Sequence, residues 1–375
     1  MKYAALIGLL ALAVGCSNVT ARSSRGNNRD NNNKPGTGTG TGSGKQTYDP
    51  DKDQDLDGYT PNQGDCDDTT PLVNPGAAEV IGNNYDDDCD GEADEVDSEC
   101  ESLALGKTDP TSLAEAMGLC NPDFLLDAKL AGPADVRARA IVDSFGVVTP
   151  QGGGPAMIVL SSGIAADANG KGFQSPQSGV TLSSGNSAAN PAPDLPVKSD
   201  CGQANPSTVN DYTELVLKLR VPSNANSFSF NSHFLSAEYP EFVCTSFNDA
   251  FVVLLDDGVQ PERNIVFDDG GNPISVNNGF FRVCENYSAK PQTQNCTRPL
   301  SEIAGTGFEE TDTWGDTPVG GSTGWLKTSA PVSPGTEIKQ RFIIWDASDH
   351  IYDSTVLIDN FQWSVEAVDG PITIG

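Results

Sequence analysis

Asp53, Asp55 and Asp57 alternate along the chain and are followed at once by Gly58, a D-x-D-x-D-G run. Alternate carboxylates in a tightly turning loop converge on one point, and the glycine permits the sharp turn, so the chemistry on offer is coordination of a hard cation. Counted from Asp53, the twelfth position of an EF-hand loop falls on Gly64, and an acid, Asp65, follows one place later. The run recurs as Asp86, Asp88, Asp90 and Gly91, with Asp94 at the ninth position and Asp97 at the twelfth. Cys66 and Cys89 are placed to tie the two loops together. Residues 49–100 hold 18 Asp and Glu against one Lys, and no His, Met or Trp. Oxygen ligands alone select Ca²⁺ over softer metals. Without a cation these charges repel, and a segment so poor in apolar residues does not order itself, so metal binding would supply folding free energy.

A second set of acids lies further on: Glu238 and Glu241, Asp249 beside Asn248, then Asp346, Asp349, Asp353 and Asp359. Glu238, Asp249 and Asp353 are the first candidates for a second calcium site; the other reading is turn formation and strand-end capping. Trp314, Trp325, Trp345, Trp363 and Tyr352 could stack on sugar rings, although Trp345 and Trp363 lie in strand-like runs that suit core packing. "GGSTG" (Gly320–Gly324) fits G-x-S-x-G but has neither an apolar strand before it nor a helix after it, so Ser322 is not expected to be a nucleophile. No catalytic residue is expected. Zinc is disfavoured, since no CxxC spacing occurs and only His233 and His350 exist.

The elements that must position these residues change along the chain. Lys2 precedes an apolar run that ends at Cys16, too short for a bilayer span and suited to a signal peptide over residues 1–15. Residues 16–48, rich in Asn, Gly, Ser and Thr, form a flexible tether. The acidic module (49–100) is followed by a partly helical connector (101–150). In it Asp109 or Ser112 caps a first helix with Pro110 near its first turn, and Pro133–Gly146 is a second, with Val136, Ala140 and Ile141 on one face. Residues 151–367 read as strands. "TELVLKLRV" puts Leu215, Leu217, Leu219 and Val221 on one side, and "SFSFNSHF" does so with Phe228, Phe230 and Phe234. Many short β runs between Gly, Pro, Asn and Asp turns predict a mainly β fold, an antiparallel sandwich or jelly roll, with a short tail at 368–375.

Nine cysteines minus one at Cys16 leave an even eight, as an oxidising compartment favours. Neighbours suggest Cys66–Cys89, Cys100–Cys120, Cys201–Cys244 and Cys284–Cys296, the first and last being preferred among the many connectivities open. A net charge of −30 excludes nucleic acid as a partner and disfavours anionic lipid heads.

Three resemblances add to this. "LAVGC" resembles the bacterial lipoprotein signal, which implies lipidation of Cys16 and a membrane anchor; Ser17 is compatible with outer-membrane sorting. "DQDLDGYTPNQGDCDDTTPLVNPGAAEVIGNNYDDDCDGEADE" resembles the MopE-type metal-binding repeat of bacterial surface and secreted proteins. The name is tied to copper, but the missing soft ligands here favour Ca²⁺. "FSFNSHFLSAEYPEFVCTSFNDAFVVLL" and "TGWLKTSAPVSPGTEIKQRFIIWDASDHIYDSTVLIDNFQW" resemble the choice-of-anchor L family, which implies an extracellular β-rich domain. Together these imply a calcium-binding lipoprotein on the outer membrane of a Gram-negative bacterium, binding a surface polysaccharide or protein without chemistry. The alternatives are a structural component of the envelope or of an extracellular assembly, and, further off, an exported hydrolase.

Overall fold

Apolar residues at alternate positions make a strand when a facing sheet can bury them, and this happens along residues 208–220 and 227–236. The computed structural model describes residues 49–375 apart from 82, 96–104, 133–134, 153, 179–181, 183–186, 196–200, 202–204, 278, 290–291, 295 and 310–319. Cys16, Asp97, Cys100 and Trp314 lie outside the described residues. Along the chain come α1 (Pro110–Ala116) and the strands β1 (Leu125–Ala131), β2 (Arg139–Val142), β3 (Met157–Ser161), β4 (Ser187–Ala189), β5 (Thr208–Arg220), β6 (Ser227–Ser236), β7 (Ala250–Asp256), β8 (Arg263–Asn264) and β9 (Ile274–Ser275). There follow β10 (Tyr287–Ala289), β11 (Gln292–Gln294), β12 (Gly321–Pro331), β13 (Glu337–Asp346), β14 (Ser354–Ser364) and β15 (Ile372–Ile374).

Two antiparallel sheets face each other. The first runs β1-β5-β13-β7-β8, with β4 on β5 and β9 on β7; the second runs β15-β12-β6-β14-β3-β2. Leu215, Leu217 and Leu219 of β5 meet Phe228, Phe230 and Phe234 of β6 in the layer between them. Phe230 crosses the gap to Phe342 of β13, edge to face at 5.3 Å. Burying a Phe side chain stabilises by about 1.5–3 kcal/mol. The outer faces are covered too, by Phe145, Val148 and Ile303 over Val159 and Leu357 on the second sheet. On the first sheet Ala192 and Ala347 pack with Val252 and Leu254, and burial on both faces is why β7 is an unbroken apolar run from Ala250 to Leu255.

The helix expected at Pro133–Gly146 is not formed. Asp135 caps a single 3-10 turn at Val136–Ala138, and Arg139–Val142 is β2, paired with β3 in the register Ile141↔Ile158. Burial of Ile141 against the sheet outweighs a weak helical pattern. Likewise Leu125–Ala131, expected in the connector, pairs with β5. The first helix forms, and its cap is Asp109, whose Oδ1 accepts the Ser112 amide at 3.0 Å. Disulfides join Cys66–Cys89, Cys201–Cys244 and Cys284–Cys296. No helix among the described residues is long and apolar enough to cross a membrane.

Candidate metal centres

Among its described residues the acidic module has a 3-10 turn at Pro61–Gln63 and turns held by backbone bonds such as Asn74 N–H to Asp87 O, and its acidic loops also order their backbone on their own carboxylates. Asp53 accepts the amides of Leu56 and Gly58, Asp55 that of Asp57, and Asp57 that of Tyr59. The second loop repeats the pattern: Asp86 accepts from Asp90 and Gly91, Asp88 from Asp90, and Asp90 from Glu92. Gly58 and Gly91 both take φ +102°, a conformation that side chains strain, and nothing crowds either one.

The same carboxylates also converge on one another. Asp53, Asp55 and Asp57 bring one oxygen each within 4.8 Å of one another, as do Asp86, Asp88 and Asp90. The middle acid of each loop also joins a second group, Asp55 with Asp65 and Asp68, and Asp88 with Glu79 and Glu95. Asp55 Oδ2, Asp57 Oδ2, Asp65 Oδ2 and Glu95 Oε2 are buried without a hydrogen-bond partner. Burial raises the pKa of Asp55, Asp65, Asp88 and Glu95, and the neighbouring carboxylates raise them further. Groups made of carboxylates alone, with orphaned oxygens on Asp55, Asp57, Asp65 and Glu95, suit a hard cation.

Of the expected ligands, Asp53, Asp55, Asp57, Asp65, Asp86, Asp88 and Asp90 fall in these groups. Asp94 stands outside them and accepts the amides of Asn83 and Asn84. Asp68, Glu79 and Glu95 were not anticipated. Glu79 also accepts the amides of Asp87, Asp88 and Asp94, a role set by folding rather than spacing.

The module is fastened to the sandwich at the β5–β6 turn. Ser223 donates its amide to Gly76 O at 2.8 Å and its hydroxyl to Asn74 Oδ1 at 2.7 Å. Asn224, buried, takes the Ala78 amide and donates to the Ala78 and Leu72 carbonyls.

The acids of the second set gather at the other end of β6. Glu238, Asp249 and Asp346 bring oxygens within 4.8 Å of one another, all three being at most 1% exposed. Asp346 takes the place expected of Asp353, for the pairing Trp345↔Ala250 sets Asp346 beside Asp249. Asp353 is buried next to Gly163, where a Cβ would collide with its carboxylate. Asp249 accepts the Ala347 amide at 2.9 Å and the Ser354 hydroxyl at 2.7 Å; Glu238 accepts the Asp249 amide. Burial pushes all three carboxyls up, Asp249 to about 7, and mutual repulsion raises Glu238 and Asp346 further. Asp359 is elsewhere, accepting the Gln151 and Gly152 amides.

Trp325, Trp345, Trp363 and Ser322 resolve into packing. Trp345 is 2% exposed, Trp363 packs on Phe124, Phe228 and Phe361, and Trp325 stands edge-on to His233. Tyr352 contacts Phe242, which in turn meets Phe247; all three are part-exposed. Ser322 lies on β12 with its hydroxyl 2.8 Å from His233 Nε2. Both are buried, and burial lowers the His233 pKa to about 3. Among the described residues His233 Nδ1 has no partner, and none orients the ring as a nucleophile's base requires.

Fold and loops together define an antiparallel β-sandwich that carries a disulfide-tied, paired-loop metal-binding module. The chain belongs to the choice-of-anchor L domain family, whose model matches residues 151–362. Membership implies a cell-surface protein. The model of the MopE metal-binding motif matches residues 65–95, so the loop at Asp53–Gly58 precedes the matched segment. No curated protein matches the chain. Among solved structures, TmCBM61 in complex with β-1,4-galactotriose is 9% identical, with 65% of this chain and 92% of that chain covered at a TM-score of 0.27.

Proposed function

We propose that this is a lipid-anchored surface protein that binds a polysaccharide or protein and uses calcium, held in the acidic loops, to order its N-terminal module. The reading rests on one observation: carboxylates converge in both loops, with buried oxygens of Asp55, Asp57 and Asp65 in the first half and of Glu95 in the second left without a hydrogen-bond partner among the described residues, in a module fastened to a sandwich of a cell-surface family. Ca²⁺ fits because every member of each group is a carboxylate, a donor set that soft metals do not prefer. Asp53, Asp55, Asp57, Asp65 and Asp68 would hold metal in the first half, and Glu79, Asp86, Asp88, Asp90 and Glu95 in the second. When bound, the ion supplies positive charge that offsets the repulsion of the block, so its binding free energy adds to folding.

The module docks at the β5–β6 turn. The loops after β6 and β13 are at the far end of those strands, on the order of 30 Å away at about 3.3 Å per residue. These distal loops, with Phe242, Phe247 and Tyr352 part-exposed, are the face offered to a ligand, and no catalysis is assigned. Binding of the purified protein to an array of surface polysaccharides, read in calcium and in chelator, tests this. Calcium-dependent retention that Phe242→Ala removes supports it. Binding that ignores chelator separates the calcium from the grip, and co-purification in a fixed stoichiometric complex would favour a structural component. A Cys16→Ala chain that stays in the membrane fraction would refute the lipid anchor.

A further inference from the structure

We propose that Glu238, Asp249 and Asp346 bind a calcium ion that clamps the two sheets together at the end of the sandwich opposite the acidic module. The three acids come from both sheets. Glu238 lies two residues beyond β6 of the second sheet, whereas Asp249 directly precedes β7 and Asp346 ends β13, both in the first.

The group is not explained as capping. Both carboxylate oxygens of Asp346 are buried with no hydrogen-bond partner among the described residues, on a residue of 0% exposure. None of the ion pairs among the described residues includes Glu238, Asp249 or Asp346. An uncompensated buried charge costs several kcal/mol, and removing the partner of a buried ion is among the most destabilising changes known. Three carboxylates from the ends of separate strands therefore converge where positive charge belongs. The charges of Asp349 and Asp353 also reach Asp346, so the surroundings add negative potential. The set contains oxygen donors alone, and Ca²⁺ accepts six to eight such ligands in flexible geometry, where Mg²⁺ demands a near-ideal octahedron and gives up water reluctantly.

The site is independent of the acidic loops, and the test keeps the two apart. Asp346→Asn is made in the full chain and again in an Asp55→Asn/Asp88→Asn background, where each loop pair has lost its shared acid. Calcium content per chain is read by elemental mass spectrometry, and melting temperature in calcium chloride, magnesium chloride and EDTA. The expected result is one calcium fewer per chain in Asp346→Asn in both backgrounds, with a reversal of sign in the melts. The variant melts below its parent in calcium, having lost a ligand, and above it in EDTA, having lost a repelling charge. Glu238→Gln should reproduce the reversal. Equal calcium content, or an ordering of melting temperatures indifferent to calcium, overturns the site in favour of acids that share protons. A magnesium effect as large as that of calcium overturns the choice of ion.

Discussion

Asn224 brackets Ala78: its Oδ1 accepts the Ala78 amide at 3.0 Å, and its Nδ2 donates to the Ala78 carbonyl at 2.8 Å. A single side chain thus acts as a strand edge would, satisfying both backbone polar groups of one residue of the acidic module. Removing it leaves those groups and Leu72 O short of partners, each orphan costing about 1–3 kcal/mol where water cannot replace it. Asn224→Ala is therefore expected to split one calcium-saturated thermal transition into two, the module melting first. A single unshifted transition would show that the contact fastens nothing.

Gly91 sets the turn of the second loop at φ +102° with no atom within reach of a Cβ. The cost of Gly91→Ala is thus backbone strain alone, of order 1–3 kcal/mol. Calorimetric calcium affinity should fall by about tenfold or more, one factor of ten being about 1.4 kcal/mol, while the sandwich keeps its fold. Unchanged affinity would mean that the loop does not need this turn to hold its ion.

How much of this was legible in the sequence depends on how local each feature is. The alternation of Leu215, Leu217 and Leu219 and of Phe228, Phe230 and Phe234 announced two strands, since a strand's faces follow directly from its period. Asp53, Asp55 and Asp57 were legible for the same reason, because a loop ligand set is a matter of neighbours. Glu79, Asp68 and Glu95 join through the long-range folding of the module, and no spacing marks them. Asp346 depends on the register of β13 against β7, which the sequence does not display, so the choice fell on Asp353 instead. β2 does not show as a strand in the sequence, because four residues of β pairing are too short to outvote a helical periodicity until β3 is beside them.

Asp359 gives the account a pH signature. Burial raises its pKa to about 6 against the pull of the Gln151 amide, and its Oδ1 has no partner. The folded carboxyl keeps its proton where the unfolded one has lost it, so its contribution is fully present below about pH 4 and is lost as the pH rises through about 6. Asp359→Asn retains an acceptor for the two amides and does not titrate. In saturating calcium the variant and the parent should be about equally stable at pH 4. The variant should be the more stable at pH 7, by up to about 3 kcal/mol. A difference that does not change with pH in urea unfolding would show that Asp359 ionises normally in the fold.

The central claim is that calcium orders the acidic module. The most direct measurement is calorimetric titration of the metal-free protein with calcium chloride, paired with thermal melts in calcium and in EDTA, for the parent and for Asp55→Asn/Asp88→Asn. The account predicts two or more ions bound by the parent, a raised melting temperature, and loss of most of that binding when the two shared acids are replaced. Heats and melts that are the same in parent and double variant, or a parent that ignores calcium, would contradict it. The aspartates around Gly58 and Gly91 would then be a solvated acidic spacer.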